Sequence, residues 1–391
     1  MFHTMNGATV EFVDFQVQDG AAPTSEAYGG GILQENGSLT LTRVGVHDNS
    51  NPGAGAPNDA DGGGIATRSG SLTLTDSAVQ SNSTNDDGGG IAIESGDVTL
   101  TNVAIDANTV TGPGSGGGGS TEGANGGGLY LGSSVTGDFT NANFGGNAVL
   151  DTDEYSGGGG FFVAGTVTAD GINASLNTAA SFGGGGRIAE SGSVTATKFN
   201  VHFNDAPASG GGLAVQGTLD ATGGSISRNT AGGAAGLIIG ANEGPASNVS
   251  LDDVVIEDNI ADVAGGVYVF PGAEFSFSNQ RIRANSATAG PVGGLYNAGT
   301  STLLNADVNE NTATGGAGGM RNDGTLEATS VAVTGNDARP GQAGGVHSLG
   351  DTTLNQVTVA GNMADGIGGG ILVGEAASRP PISRCRVMPA R

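Results

Sequence analysis

Residues Gly88–Thr109 read GGGIAIESGDVTLTNVAIDANT, and nearly the same phrase, GGGIATRSGSLTLTDSAVQSNS, occupies Gly62–Ser83. In both copies glycines precede an isoleucine, and three short runs of alternating apolar and polar residues follow. Alternation with a period of two is typical of β-strands that bury one face. The phrase therefore predicts three short strands within one repeat of roughly 26 residues.

One asparagine marks the same point in every repeat along the chain. Successive members of this set are 25 to 39 residues apart, and internal periodicity in this range is the signature of a solenoid. Asparagine tolerates the left-handed backbone conformation, and its amide can hydrogen-bond to the same amide one coil away. We therefore expect a structural ladder of asparagines. Its members are Asn49, Asn82, Asn108, Asn147, Asn177, Asn204, Asn229, Asn259, Asn285, Asn311, Asn336 and Asn362.

A glycine pair precedes the first apolar run of nearly every repeat, as at Gly90-Ile91 and Gly294-Leu295. Such pairs suit corners where the backbone bends sharply or takes a positive φ. A repeat this small can bury its apolar face only against a neighbour of the same shape. The predicted fold class is therefore all-β, a single-stranded parallel β-helix (solenoid) of about 13 coils with three short strands per coil. It spans residues 1–377.

Residues 378–391 depart from the repeat and form a separate tail. Four of the 13 Lys and Arg residues and the only cysteine, Cys385, fall within it. A solenoid end needs protection, so the tail could be a cap. Alternatively it is an out-of-frame end, translated from a shifted reading frame, and this second explanation is favoured. The repeat has already begun at the amino terminus, which predicts that the chain is part of a longer protein.

The amino-acid composition limits both the fold class and the kinds of partner expected for the chain. Glycine accounts for 76 of 391 residues, tryptophan is absent, and the formal net charge is −25. Glycine without a strict three-residue period excludes collagen, and alternating apolar residues argue against disorder. An acidic surface repels phosphate backbones, so no nucleic acid partner is expected. No stretch approaches the roughly 20 apolar residues of a membrane span, and a lone cysteine precludes an internal disulfide.

The glycine pair followed by a hydrophobic residue, and the hydrophobic-x-x-Asn step, together resemble a known repeat. They are similar to the repeats of the chlamydial polymorphic outer membrane proteins and of other prokaryotic right-handed parallel β-helix surface proteins. Phe144-Gly-Gly-Asn147 has the Phe-x-x-Asn form, whereas most other coils carry Val or Ile in place of Phe. The resemblance covers roughly residues 10–373. It implies a right-handed helix, a location outside the cell or on the surface of a prokaryote, and adhesion.

The middle residue of each first strand should point away from the helix interior, and several of these positions are aromatic or basic. Aromatic faces along a surface suit sugar rings or a partner protein. The alternative is purely structural, because Tyr and Phe are favoured in strands and stabilise neighbouring coils. The candidate ligand-binding residues are Tyr130, Phe162, Tyr268, Tyr296, Arg321 and His347.

Three long connections leave the same predicted corner: Ser50–Gly64, Thr109–Gly128 and Ala148–Gly160. Carboxylates in these connections and in the shorter connection between the first two could hold calcium, which prefers several oxygen ligands, although flexible decoration explains the long connections as well. No other cofactor is expected. The candidate calcium ligands are Asp59, Asp61, Asp86, Asp87, Asp151 and Asp153.

The sequence favours an extracellular, adhesin-like surface protein that binds a carbohydrate or a cell-surface protein. One alternative is a polysaccharide lyase or hydrolase of the pectin-lyase-like class, and a second is a passive structural stalk. An enzyme on this scaffold would need carboxylates or bases gathered on adjacent coils. Arg321 and His347 are neighbours in the outward column, but that column contains no acid. Catalysis is therefore less favoured than binding, and no catalytic residue is predicted.

Overall fold

The computed structural model describes residues 1–22, 29–52, 62–112, 123–153, 156–241, 246–374 and 385–388. In these residues all regular secondary structure is β, and the strands stack in parallel. The prediction of an all-β parallel β-helix is confirmed, with about 13 turns. The chain forms two compact units, Met1–Ala208 (unit 1) and Ser209–Arg391 (unit 2). No helix long and apolar enough to cross a bilayer occurs in the described ranges.

Each coil begins with a three-residue first strand, which in two coils of unit 1 is the start of a longer strand. The outer two residues of the triplet point into the helix and the middle one points away. In unit 1 the first strands are Phe2–Thr4, Ile32–Gln34, Ile65–Thr67, Phe161–Val163, Gly186–Ile188 and the beginnings of Ile91–Asp106 and Leu129–Gly145. In unit 2 they are Leu213–Val215, Leu237–Ile239, Val267–Val269, Leu295–Asn297, Met320–Asn322, Val346–Ser348 and Ile371–Val373.

The second and third strands form the longest side of each coil. As separate second strands, the structure has Thr9–Val13, Ser38–Thr42, Ser71–Thr75, Glu274–Ser278, Thr300–Leu304, Thr325–Thr329 and Asp351–Asn355. The matching third strands are Gln16–Gln18, Gly45–His47, Ala78–Gln80, Arg281–Arg283, Asp307–Asn309, Ala332–Thr334 and Thr358–Ala360. In other coils the two are continuous, as Thr166–Ser175, Ser193–His202, Thr218–Ser227, Asn248–Glu257 and the later parts of Ile91–Asp106 and Leu129–Gly145.

The strand pattern within a coil differs in two details from the three short strands predicted. The second and third strands often merge, because the residue between them bends the chain without ending the pairing. Asn102, for example, has φ 53°, yet Thr101 and Val103 on either side of it both pair with the next coil. A left-handed residue of this kind changes the direction of the strand at a single position.

The second difference is a two-residue fourth strand that follows every ladder asparagine. Its second residue points inward, and in unit 1 Val110, Val149 and Ala179 pack together with Ala124 as a buried cluster. The fourth strand was not predicted because alternation of apolar and polar residues cannot be recognised in only two residues. These strands are Ser50–Asn51, Ser83–Thr84, Thr109–Val110, Ala148–Val149, Thr178–Ala179 and Asp205–Ala206 in unit 1, and Thr230–Ala231, Ile260–Ala261, Ser286–Ala287, Thr312–Ala313, Asp337–Ala338 and Met363–Ala364 in unit 2.

Equivalent residues of adjacent coils stand directly beside each other. Leu72 pairs with Leu39 on one side and with Val98 on the other, so apolar residues form continuous inward columns. Leu, Ile and Val fill most of the interior, and each fully buried side chain contributes about 1.5–3 kcal/mol through the hydrophobic effect. The largest fully buried residues are Phe139, Phe144, Phe199, Phe275 and Phe277.

The asparagines predicted as a ladder line one corner within each unit. The Asn82 Nδ2 donates to Asn108 Oδ1 at 3.0 Å, and its backbone N donates to the same oxygen at 3.0 Å. The other Nδ2 hydrogen donates to the carbonyl of Val46 at 3.0 Å. In unit 2, Asn311 repeats this set of bonds with Asn336. Each buried amide therefore joins two coils, and it satisfies backbone groups that the corner would otherwise leave unpaired.

In the tail, the strand Cys385–Met388 pairs in parallel with Asp351–Asn355, with Thr352 beside Cys385. The tail thus places a strand where the second strand of a further coil would lie. Whether residues 378–391 are a cap or an out-of-frame end stays a prediction.

Candidate functional site

The middle residues of the first strands stack into one column within unit 2. Tyr268 pairs with Tyr296, Tyr296 with Arg321, and Arg321 with His347. The two tyrosine rings meet edge to face, with centroids 4.6 Å apart, a favoured geometry for aromatic pairs. The Arg321 Cζ lies 5.2 Å from the centre of the Tyr296 ring, within the range of a cation–π interaction. We refer to Tyr268, Tyr296, Arg321 and His347 as the unit 2 strip.

An acidic residue from outside the outward column completes this cluster. The Arg321 Nε and Nη2 donate to the two carboxylate oxygens of Asp323, both at 2.9 Å. The Tyr296 hydroxyl donates to the same carboxylate at 2.8 Å. Asp323 was not predicted, because it follows the first strand and does not lie in the outward column. The spacing Arg321-x-Asp323 was the available signal, since alternate residues of an extended chain share a face.

The protonation states in this cluster are set by burial and by the ion pair. Burial, and then the hydrogen bond to Asp323, raise the pKa of the Tyr296 hydroxyl, so the phenol stays neutral. The bond to Asp323 raises the pKa of Arg321, which stays charged. Burial, and then the positive charge of Arg321, lower the pKa of His347. Its imidazole is therefore neutral at pH 7, and the charge of the cluster is balanced.

His347 is 6 % exposed, and its Nδ1 is buried with no hydrogen-bond partner among the described residues. An unsatisfied buried polar atom of this kind costs about 1–3 kcal/mol. Such atoms are uncommon in folded proteins and cluster at functional sites. The His347 side chain therefore carries an unsatisfied nitrogen at the end of the strip.

A shorter series of the same type occurs in unit 1. The Tyr130 and Phe162 rings stack with centroids 5.2 Å apart and an interplanar angle of 2°, and the Arg187 Cζ lies 5.9 Å from the Phe162 ring centre. Burial lowers the pKa of Arg187 to about 10, so it remains charged at neutral pH. Each unit thus has two aromatic residues and then an arginine on three successive coils.

Arg187 was not among the predicted residues because the four preceding glycines left its register ambiguous. In the structure Phe161 pairs with Gly186, and Phe162 pairs with Arg187. Gly186 therefore holds an inward position that is apolar in other coils. A Cβ at Gly186 would collide with the Phe161 ring, so the phenylalanine fills the space that glycine leaves.

The column is less exposed than a flat aromatic surface would be. Phe162 is 8 % exposed, and the three tyrosines and Arg321 are half-buried. The reason is the glycine corner before each first strand, which folds back beside the column. At Gly158, for example, an added Cβ would lie 3.2 Å from the Phe162 Cβ. The outward side chains of the column are thus only partly accessible to a ligand.

The predicted calcium ligands are only partly within the described residues. Asp59 and Asp61 lie outside them. An Asp87 oxygen accepts the backbone N–H of Asn125 at 2.7 Å, and an Asp151 oxygen accepts the Ser156 hydroxyl at 2.6 Å. These two carboxylates brace the local loop backbone. Within the described ranges no group of three His, Cys, Asp or Glu residues, including Asp86 and Asp153, is arranged to hold a metal. Calcium binding stays a prediction.

Comparison with known proteins adds no family to the fold described above. No protein-family model, no curated protein and no solved structure matches this chain.

Proposed function

We propose that this chain is an extracellular, adhesin-like β-helix protein that binds a glycan at the unit 2 strip. The observation that carries the proposal is the Tyr296–Arg321–Asp323 cluster, in which a two-point ion pair is held against an aromatic ring. The ring offers an apolar face to a sugar, and the charged pair offers donors and acceptors at its edge.

Several features of the strip favour a glycan over other ligands. Two tyrosines on adjacent coils present aromatic surface over a length suited to neighbouring sugar rings. The Arg321 and Asp323 charges balance each other, which suits a ligand with little charge. The net charge of −25 disfavours polyanions. His347 supplies a buried nitrogen that still needs a hydrogen-bond partner.

Removing the aromatic surface tests this proposal. The double substitution Tyr268→Ala, Tyr296→Ala should weaken binding to immobilised glycans about 5- to 150-fold, because each of the two lost aromatic contacts contributes about 0.5–1.5 kcal/mol beyond its area and 1.4 kcal/mol is tenfold in affinity. A glycan array followed by titration calorimetry measures the change. Phe203→Ala is the control, because it removes an exposed aromatic residue outside the strip.

Equal glycan binding by the double variant and the control would contradict the role of the strip. If the wild-type chain binds no glycan but attaches to cells through a surface protein, the glycan proposal fails. If it binds neither, the passive stalk is the better description.

One observation favours the alternative of a polysaccharide lyase or hydrolase. Arg321, Asp323 and His347 converge on adjacent coils, which is the arrangement such an enzyme requires. Against it, both Asp323 oxygens are engaged by Arg321 and Tyr296, and the raised pKa of Tyr296 makes its hydroxyl a poor base. Depolymerisation of a bound glycan, lost in Asp323→Asn, would establish the enzyme instead.

The cellular setting is part of the same proposal. The resemblance to the polymorphic outer membrane protein repeats supports display on a prokaryotic surface. A parallel β-helix suits this role because it holds a ligand-binding column on a rigid scaffold.

A further inference from the structure

A second candidate site lies on a different face, in unit 1. The outward positions of successive third strands form a column in which Gln16, Gly45, Ala78 and Ala104 are neighbours. The next residue in the column is Asn143. The small residues Gly45 and Ala78 lie at the bottom of a depression, and the Gln16 side chain lies over Gly45 at one end of it. We call this depression, about 770 Å³ in volume, the third-strand groove.

One wall of the groove is a row of residues in the left-handed conformation. Arg43, Asp76 and Asn102 occupy the bend between the second and third strands of successive coils, with φ near 50°. Side chains fix their orientation across coils. The Arg43 Nε and Nη2 donate to the Asp14 carboxylate at 2.6 and 2.9 Å, and the Asn102 Nδ2 donates to Asp76 at 2.9 Å.

The opposite wall comes from the end of the third strands. His47 and Gln80 stand side by side in register. The His47 Nδ1 lies 2.8 Å from the Asp48 carboxylate, which orients the ring. Gln80 and Ser81 extend this wall onto the next coil.

The chemistry of the lining identifies the class of ligand. The groove offers donors from Arg43 and the amides of Gln80 and Asn102, and acceptors from Asp48 and Asp76. The Arg43 charge is balanced by Asp14, so the remaining carboxylates give the lining a negative charge that disfavours anions. A simple cation would use only the acceptors. A ligand rich in hydroxyl groups uses both kinds of partner, because each hydroxyl both donates and accepts.

We propose that unit 1 binds a neutral oligosaccharide in the third-strand groove, separately from the unit 2 strip. Strands of a parallel sheet are about 4.8 Å apart, so Gly45 and Ala78 on adjacent coils give a floor on the order of 10 Å long. This accommodates about two sugar rings lying along the column. The walls contact the hydroxyl groups, and the Gln16 amide, which lies over Gly45, adds a donor and an acceptor at one end.

Filling the floor of the groove tests the proposal. Ala78→Leu places a larger side chain in the groove at an outward strand position, where it should not disturb the core. Ala332→Leu is the matched control, because Ala332 holds the equivalent third-strand position in unit 2, between Asp307 and Thr358. Gln80→Ala is a second variant, which removes a wall donor without adding bulk. Thermal unfolding of all three verifies that they fold.

Binding is measured in a background that carries Tyr268→Ala and Tyr296→Ala, which removes the strip. The probes are hexasaccharides of glucose, mannose and N-acetylglucosamine, with oligogalacturonate as the anionic comparison. We expect residual binding to a neutral hexasaccharide that falls at least about tenfold with Ala78→Leu, falls less with Gln80→Ala, and is unchanged by Ala332→Leu.

The experiment distinguishes failure of the groove proposal from failure of the strip proposal. If the strip substitutions alone abolish all binding, the groove proposal is overturned while the strip is supported. Preference for oligogalacturonate would also overturn it, as would an equal loss in Ala78→Leu and Ala332→Leu.

Discussion

Replacing Asn285 by alanine should lower the free energy of unfolding by about 2–6 kcal/mol, because two buried backbone groups, the N–H of Asn259 and the carbonyl of Ile256, lose their bond to its amide and each costs about 1–3 kcal/mol when unsatisfied. Asn285 is completely buried. Its Oδ1 accepts the backbone N and the Nδ2 of Asn259 at 3.1 and 2.9 Å. Its Nδ2 donates to the carbonyl of Ile256 and to Asn311 Oδ1, both at 3.0 Å.

Urea unfolding monitored by circular dichroism measures this loss, and amide hydrogen exchange shows which coils open first. Asn248→Ala is the control, since Asn248 is an exposed strand residue whose replacement should change stability by no more than about 0.5 kcal/mol. Similar losses in the two variants would show that the ladder does not stabilise the coils.

Replacing Gly345 by alanine should destabilise the chain by about 1–3 kcal/mol, the usual cost of forcing an extra group into a packed interior. A Cβ at Gly345 would lie 2.5 Å from the Gly370 carbonyl oxygen and 3.0 Å from Asn362 Nδ2. The backbone cannot retreat easily, because the next residue, Val346, donates its N–H to that same oxygen at 2.9 Å. The cause is the close approach of two coils, because Gly345 is not among the residues with positive φ.

Gly370→Ala is the matched variant at the same repeat position one coil later. Its Cβ would meet only Val359 Cγ1, at an ordinary 3.5 Å, among the described residues. We expect its urea midpoint to stay near that of the wild type while that of Gly345→Ala falls. If the urea midpoints of the two variants are equal, close contact between coils is not the reason for glycine at this repeat position.

The repeat could be predicted from the sequence because its signals are periodic. Alternation placed Leu72 and Val98 on inward faces, and the asparagine spacing set the period of the coil. The fourth strand was missed because two residues, such as Ser83–Thr84, show no alternation. The merging of second and third strands was missed because a left-handed residue such as Asn102 resembles a strand breaker in sequence but leaves the pairing intact.

Only the site residues that lie in the outward column of the first strands were predicted from the sequence. Tyr268, Tyr296, Arg321 and His347 stack as the column required, whereas Asp323 joins them from the corner beyond the strand. How far the column is covered depends on the residues that pack beside it, and alternation carries no information about that. The third-strand groove arises from small residues on adjacent coils, a feature that becomes visible only when the register is known.

Disulfide cross-linking between coils tests most directly whether each coil stacks in register on the next. Ser276 and Thr302 are exposed partners on adjacent second strands, about 4.8 Å apart, a separation that a disulfide can span. Glu327 follows one coil further on, about 9.6 Å from Ser276, which is beyond disulfide reach. In a Cys385→Ser background, we predict that Ser276→Cys with Thr302→Cys cross-links on mild oxidation and that Ser276→Cys with Glu327→Cys does not. Mass spectrometry of proteolytic digests that found the second link, or neither link, would contradict the stacking of the coils.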